Sequence, residues 1–124
     1  MEQKILIIED NEQNMYMLKY LLETNGYIVY SSFSGPDGIR MANNITPDGI
    51  LLDIQLPEMD GYTVAREIRM IPGLVNVPII AVTSYAMSGD REKALEAGAN
   101  GYIEKPIDPD VFISQIQNYL KKPE

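Results

Sequence analysis

Apolar residues along the chain fall into two alternating patterns: short unbroken runs, and longer segments where they recur every three or four positions. Ile5-Leu6-Ile7-Ile8, Ile50-Leu51-Leu52 and Ile79-Ile80-Ala81-Val82 are runs rich in β-branched residues. Runs of that kind predict central parallel strands covered on both faces. Two further strands are expected over Tyr27 to Ser32 and Asn100 to Glu104. Between the strands lie five helical patterns. In the first, Met15, Leu18, Leu21 and Leu22 share a face, Asn11 can cap the start, and Gly26 suits a left-handed stop. Ser34-Gly35-Pro36-Asp37 has the look of a capping box opening a second, which runs through Ile39 and Ala42. Asp60 caps a third, with Val64, Ile68 and Ile71 inward and Pro72-Gly73 closing it. A fourth is expected from about Ser88 to Ala97, before Gly98. The fifth opens at Asp108-Pro109 and turns Phe112, Ile116 and Leu120 to one side. Met15, Met17 and Met41 read as core filler.

Five β-then-α alternations without an internal linker or repeat argue for an α/β fold, a parallel sheet with helices on both faces, because parallel strands need right-handed crossovers. Length is consistent with this: 124 residues make one domain with one core. In such sheets ligands and chemistry gather at the carboxyl ends of the strands.

Composition narrows the function. Eighteen acidic against ten basic residues give a net charge of −8, which opposes binding to a phosphate backbone, so no direct nucleic-acid contact is expected. The chain has neither cysteine nor histidine, so any metal must be held by oxygen. MEQKILIIEDN has a four-residue apolar run followed by acids and reads as neither signal peptide nor membrane span, so a cytoplasmic protein without membrane insertion is expected.

The residues that close the apolar runs carry the chemistry. They are Glu9 and Asp10 after the first run, Asp53 after the third strand, Thr83 after the fourth and Lys105 after the fifth. If the topology is as expected, three carboxylates, a hydroxyl and an ammonium meet at one sheet edge. Like charges about 4 Å apart repel by roughly 4 kcal/mol at an effective dielectric near 20, and one lysine cannot neutralise three acids. A divalent cation is the natural compensator, and with oxygen ligands alone Mg²⁺ is favoured. Asp53, in LLDIQLPEMDG, could then act as a nucleophile toward phosphorus, with Mg²⁺ and Lys105 neutralising the equatorial oxygens and Thr83 donating a hydrogen bond.

Taken one at a time these residues have plainer readings. Asp53 could cap a turn, Glu9-Asp10 could be a solvated helix start, Lys105 an exposed lysine, Thr83 a strand residue, and Tyr102 half-buried packing. Their coincidence at strand ends favours the shared site.

The acid pair of ILIIEDN, LLDIQLPEMDG, PIIAVTSYA ending its strand in Thr83, and GANGYIEKP resemble, in that order, the motifs of the response-regulator receiver domain of two-component signalling. The resemblance spans about residues 4 to 120 and is to single-domain, chemotaxis-type receivers. It implies a doubly wound, flavodoxin-like (βα)5 three-layer sandwich of strand order 2-1-3-4-5. One receiver domain, residues 1–124, is expected, with no output domain following. The resemblance further implies that Asp53 accepts a phosphoryl group from a histidine kinase or histidine phosphotransfer protein. Mg²⁺ would be held by Asp10, Asp53 and the Gln55 backbone carbonyl, with Glu9 acting through water. Lys105 would contact the phosphoryl group, and the bond before Pro106 would be cis. Thr83 and Tyr102 would form the switch, read by a downstream effector protein over a surface that includes Tyr85 and Met87. Gln55 and Ser84 sit where family members vary and tune hydrolysis. Such a domain assists its own phosphorylation and dephosphorylation and is not a dedicated enzyme.

Two rivals share the architecture. A phosphohydrolase working through an aspartyl phosphate would place D-x-D after its first strand, where this chain has Glu9-Asp10-Asn11. A flavin or nucleotide module needs a hydroxyl- or glycine-rich phosphate cradle, where this chain has EDNEQN.

Overall fold

A computed structural model of the chain describes residues 2–84 and 89–120. Strands β1 (Lys4–Ile8), β2 (Ile28–Ser32), β3 (Gly49–Asp53), β4 (Ile79–Thr83) and β5 (Gly101–Glu104) alternate with helices α1 (Glu12–Glu23), α2 (Gly35–Ile45), α3 (Gly61–Arg69), α4 (Asp90–Glu96) and α5 (Pro109–Leu120). All strand pairs are parallel and the order is β2-β1-β3-β4-β5. The parallel sheet is the one the alternation predicts, and its doubly wound strand order is the one the resemblance implies.

Strand alternation divides the interior into two layers. Leu6, Ile8, Ile50, Leu52, Ile79 and Ala81 pack against Ala42 of α2, Val64 and Ile68 of α3 and Ala94 of α4. Ile5, Ile7, Leu51, Ile80, Val82 and Ile103 pack against Met15, Leu18 and Leu22 of α1 and Phe112, Ile116 and Leu120 of α5. β3 and β4 are buried along their whole length, which is why they read as continuous apolar runs rather than as alternation. Met15 is buried, and Met17 and Met41 pack on the two layers as filler.

The helix starts follow the caps in the sequence. The side chains of Asn11, Ser34 and Asp60 accept from the backbone N–H of Asn14, Asp37 and Thr63. Element ends depart more. Tyr27 lies outside β2 because its N–H closes α1 on the Leu22 carbonyl. Asn100, just before β5, still donates to Ile79 O. α3 stops at Arg69, short of Ile71. Met70 and Ile71 make tight i→i−3 bonds, and Ile71 is extended ahead of Pro72, which disfavours a helical residue before it. Ile71 nevertheless packs on the core, and Pro72–Leu74 form a 3₁₀ turn. α2 ends in Thr46 with φ 47°, a left-handed position without glycine. Gly26 and Gly98 have the positive φ expected of helix stops. The start of the fourth helix at Ser88, with Tyr85 and Met87, falls outside the described residues.

One side chain fastens the end of the sheet remote from the acids. The Arg69 guanidinium donates to Gly98 O at 2.9 Å, Leu74 O at 2.7 Å and Asn100 Oδ1 at 2.7 Å, and Asn100 Oδ1 also accepts from Ile79 N–H. Burial of this guanidinium among neutral acceptors lowers its pKa.

Candidate functional site

Because β1, β3 and β4 are adjacent, their carboxyl ends bring together residues far apart in sequence. Glu9 and Asp10 follow β1, Asp53 closes β3 and Thr83 closes β4. Lys105 follows β5 and is tied to β4 by its N–H on Thr83 O at 2.8 Å. One carboxylate oxygen from each of Glu9, Asp10 and Asp53 lies within 4.8 Å of the others. Glu9 and Asp53 are 1% and 4% exposed, whereas Asp10 is open to solvent. The cluster expected from the strand ends is therefore present.

The single ammonium is shared unequally. Lys105 Nζ is 2.8 Å from Glu9 Oε1 and 3.6 Å from Asp53 Oδ2. Glu9 Oε2 also accepts from the Asn11 N–H at 3.2 Å, and Asp53 Oδ1 from the Gln55 N–H at 2.9 Å. That last bond is an Asx turn, which orients the carboxyl and leaves Oδ2 facing the lysine. Burial pushes the Asp53 carboxyl from 3.8 up to about 7, the charge and hydrogen bonding of Glu9 add to the rise, and the Gln55 N–H and Lys105 oppose it. Oxygen is the only donor type in the cluster, and its negative charge exceeds what Lys105 balances. Both features fit a hard divalent cation.

The loop after Asp53 is built on close backbone approach. Gly61 donates to Ile54 O at 2.9 Å, and a Cβ at Gly61 would stand 2.5 Å from Ile54 Cα and 2.7 Å from Asp53 O. Those atoms are backbone and cannot swing away. Gly61→Ala is therefore expected to cost about 1–3 kcal/mol by overpacking and to disturb Asp53. An unchanged urea midpoint would contradict this packing.

Thr83 is buried, while Tyr102 is half-buried and packs on the layer formed by α2, α3 and α4. Register sets Ala81 opposite Tyr102 and Thr83 opposite Glu104, so Thr83 and Tyr102 share one face of the sheet. Burial, then the charges of Asp90 and Glu104, raise the Tyr102 phenol pKa. Across the mouth of the site, Ser84 Oγ donates to Gln55 Oε1 at 2.8 Å, linking the loops after β3 and β4. The Lys105-Pro106 bond is cis, as the resemblance implies.

Sequence reasoning missed several contacts, among them two that join separate elements. Tyr62 OH reaches Asp90 Oδ1 at 3.4 Å, joining α3 to α4, and nothing in the local pattern of either residue signals it. The Arg69 clasp is the other, and an arginine two positions before a helix-ending Ile-Pro carries only a weak sign of it.

The Polar-differentiation response regulator DivK of Brucella ovis is 41% identical over 120 residues, covering 97% of this chain and 98% of DivK. The receiver domain of the sensor histidine kinase PA1611 from Pseudomonas aeruginosa PAO1, solved with a magnesium ion coordinated in its active site cleft, is 38% identical with a TM-score of 0.89, covering 97% of this chain and 98% of that one. The chemotaxis protein CheY4 of Vibrio cholerae, at 24% identity, has the same fold with a TM-score of 0.92, covering 96% of this chain and 99% of that one. A model of the response regulator receiver domain matches residues 5–117. Sequence, topology and the acid-lysine edge thus agree, and the chain belongs to the response regulator receiver domain family, whose function is to accept phosphoryl groups in two-component signalling.

Proposed function

We propose that Asp53 is the phosphoacceptor of this chain, and that residues 1–124, with a core from about 4 to 120, work as one receiver domain. The observation that carries this reading is the setting of Asp53: a nearly buried carboxyl at a strand end, oriented by the Gln55 N–H, with a lysine 3.6 Å from its other oxygen. A carboxylate oxygen of Asp53 attacks phosphorus, an Asp53 O–P bond forms, and the bond from phosphorus to the donor's histidine nitrogen breaks. Lys105 moves its charge from Glu9 toward the phosphoryl oxygens, and the Thr83 hydroxyl donates to one of them.

Mg²⁺ would be held by Asp10, Asp53 and the Gln55 carbonyl, with Glu9 reaching it through water, and when bound it supplies neutralisation of the charge on the phosphoryl group. PA1611's receiver carries magnesium in its cleft, which supports that choice of ion. Thr83 and Tyr102 form the switch. A new dianion biases the Thr83 loop, and Tyr102, on the same sheet face, responds. The donor is a histidine kinase or histidine phosphotransfer protein, and the listener is an effector protein meeting the α4-β5-α5 side. Response regulators as a family are not dedicated enzymes, and this chain assists only its own phosphorylation and dephosphorylation. Among the described residues no helix is long and apolar enough to cross a membrane, and the family resemblance supports a cytoplasmic setting.

Acetyl phosphate with Mg²⁺ tests the reading. One phosphoryl group per chain is expected by mass spectrometry, on the peptide containing Asp53, and none in EDTA. Labelling that is indifferent to EDTA, or that maps to another residue, overturns it. Continued turnover of a phosphomonoester would favour the phosphohydrolase instead.

A further inference from the structure

Two strands border the sheet, and they are defended very differently. β5 is four residues long and ends in the exposed Glu104 beside Lys105, the kind of charge that discourages edge pairing. The stretch Tyr27-Ile28-Val29-Tyr30-Ser31-Ser32-Phe33, which is β2 with one residue on either side, has no charge, no proline and no glycine, and is rich in β-branched and aromatic residues. Ile28 is 37% and Phe33 48% exposed.

The hydrogen bonds show which backbone groups are available. Ile28 donates to Gln3 O, and Ser32 O accepts from Glu9 N–H. In a parallel ladder that turns residues 28, 30 and 32 toward β1 and aims the N–H and C=O of Val29 and Ser31 outward. Among the described residues no strand pairs with that side.

We propose that this edge is a homodimer interface: two copies of the chain join β2 to β2 antiparallel, about a two-fold axis through Tyr30. The stretch is self-complementary in that register. Val29 exchanges hydrogen bonds with Ser31 of the second copy and Tyr30 faces Tyr30 in a non-hydrogen-bonded pair, while Tyr27 and Phe33, just outside the strand, stand across from one another at either end. No like charges meet, because the stretch has none. That is what selects a second copy over a charged partner strand. Each chain carries a net charge of −8, so long-range repulsion opposes the dimer and added salt strengthens it.

The absence of cysteine makes the test direct. In a non-hydrogen-bonded pair Cα atoms are about 4.5 Å apart, within disulfide reach, so Tyr30→Cys is expected to give a covalent dimer under mild oxidation, with Glu104→Cys on the other edge staying monomeric. Sedimentation of the unmodified chain should show the average mass climbing with concentration, and climbing further with salt. Ser31→Pro removes an outward N–H while leaving the bonds to β1, so it should weaken association about tenfold or more with the circular dichroism unchanged. If that variant loses its fold, Ser31→Glu, which buries a charge in the pairing, should dissociate the dimer equally. A mass that stays monomeric at every concentration, or a dimer that survives these substitutions and crosslinks through residue 104, overturns the proposal.

Discussion

Asp53→Asn is expected to abolish phosphoryl uptake and, at the same time, to make the metal-free protein more stable above neutral pH. The first effect removes the proposed nucleophile. The second follows from burial, the main cause that raises the Asp53 carboxyl from 3.8 to about 7. An acid whose folded value lies above its unfolded value binds more protons when folded, so stability falls as pH rises between the two. About three pH units at 1.36 kcal/mol each give a loss of roughly 4 kcal/mol between about pH 4 and the far side of neutrality. Asn keeps an oxygen to accept the Gln55 N–H and has no charge to bury. Urea unfolding in EDTA at about pH 5 and about pH 8 should therefore show a large decline in the parent protein and a much smaller one in the variant. Saturating Mg²⁺ should restore the parent at the higher pH by mass action and leave the variant less affected. Parallel pH profiles for the two proteins would refute the account.

Lys105→Met has the next largest expected effect. Methionine keeps an apolar stem and drops the ammonium, so Glu9 loses a donor at 2.8 Å and Asp53 a cation at 3.6 Å. Breaking a buried pair costs about 3–5 kcal/mol, and the 15% exposure of the lysine side chain argues for the lower end, about 3. That cost should be seen at about pH 8 and shrink at about pH 5, where Asp53 takes up a proton. Phosphoryl uptake from acetyl phosphate should fall about a hundredfold or more, because a donor to the developing charge is gone. Uptake at the parental rate would exclude Lys105 from phosphoryl transfer.

The parts of this molecule that could be read in advance are those set by short-range rules. Ile5 to Ile8 and Ile79 to Val82 are apolar on both faces because their strands are covered on both faces, and Asn11, Ser34 and Asp60 cap helices because their oxygens reach N–H groups three positions on. The acid cluster was legible because topology alone makes neighbours of Glu9, Asp10 and Asp53. Contacts that depend on how loops lie were not. Nothing near Lys105 says that it would sit on Glu9 in preference to Asp53, and nothing near Ser84 names Gln55 as its acceptor. The Gln55 N–H on Asp53 could have been found, since an aspartate bonding two residues onward is a local turn habit. The end of α2 was hidden for the opposite reason. Thr46 takes a left-handed conformation that sequence rules reserve for glycine and asparagine.

Arg69 binds the carbonyl that follows α4, the turn after α3 and the residue that leads into β5, all at the floor of the sheet. Any tilt of α4 must then swing about that floor as a lever does about its fulcrum. Travel would be least at Gly98 and greatest at Asp90, the far end of the helix. Cutting the fulcrum, with Arg69→Gln, would free that end of α4 while leaving the acid cluster at the opposite edge of the sheet untouched.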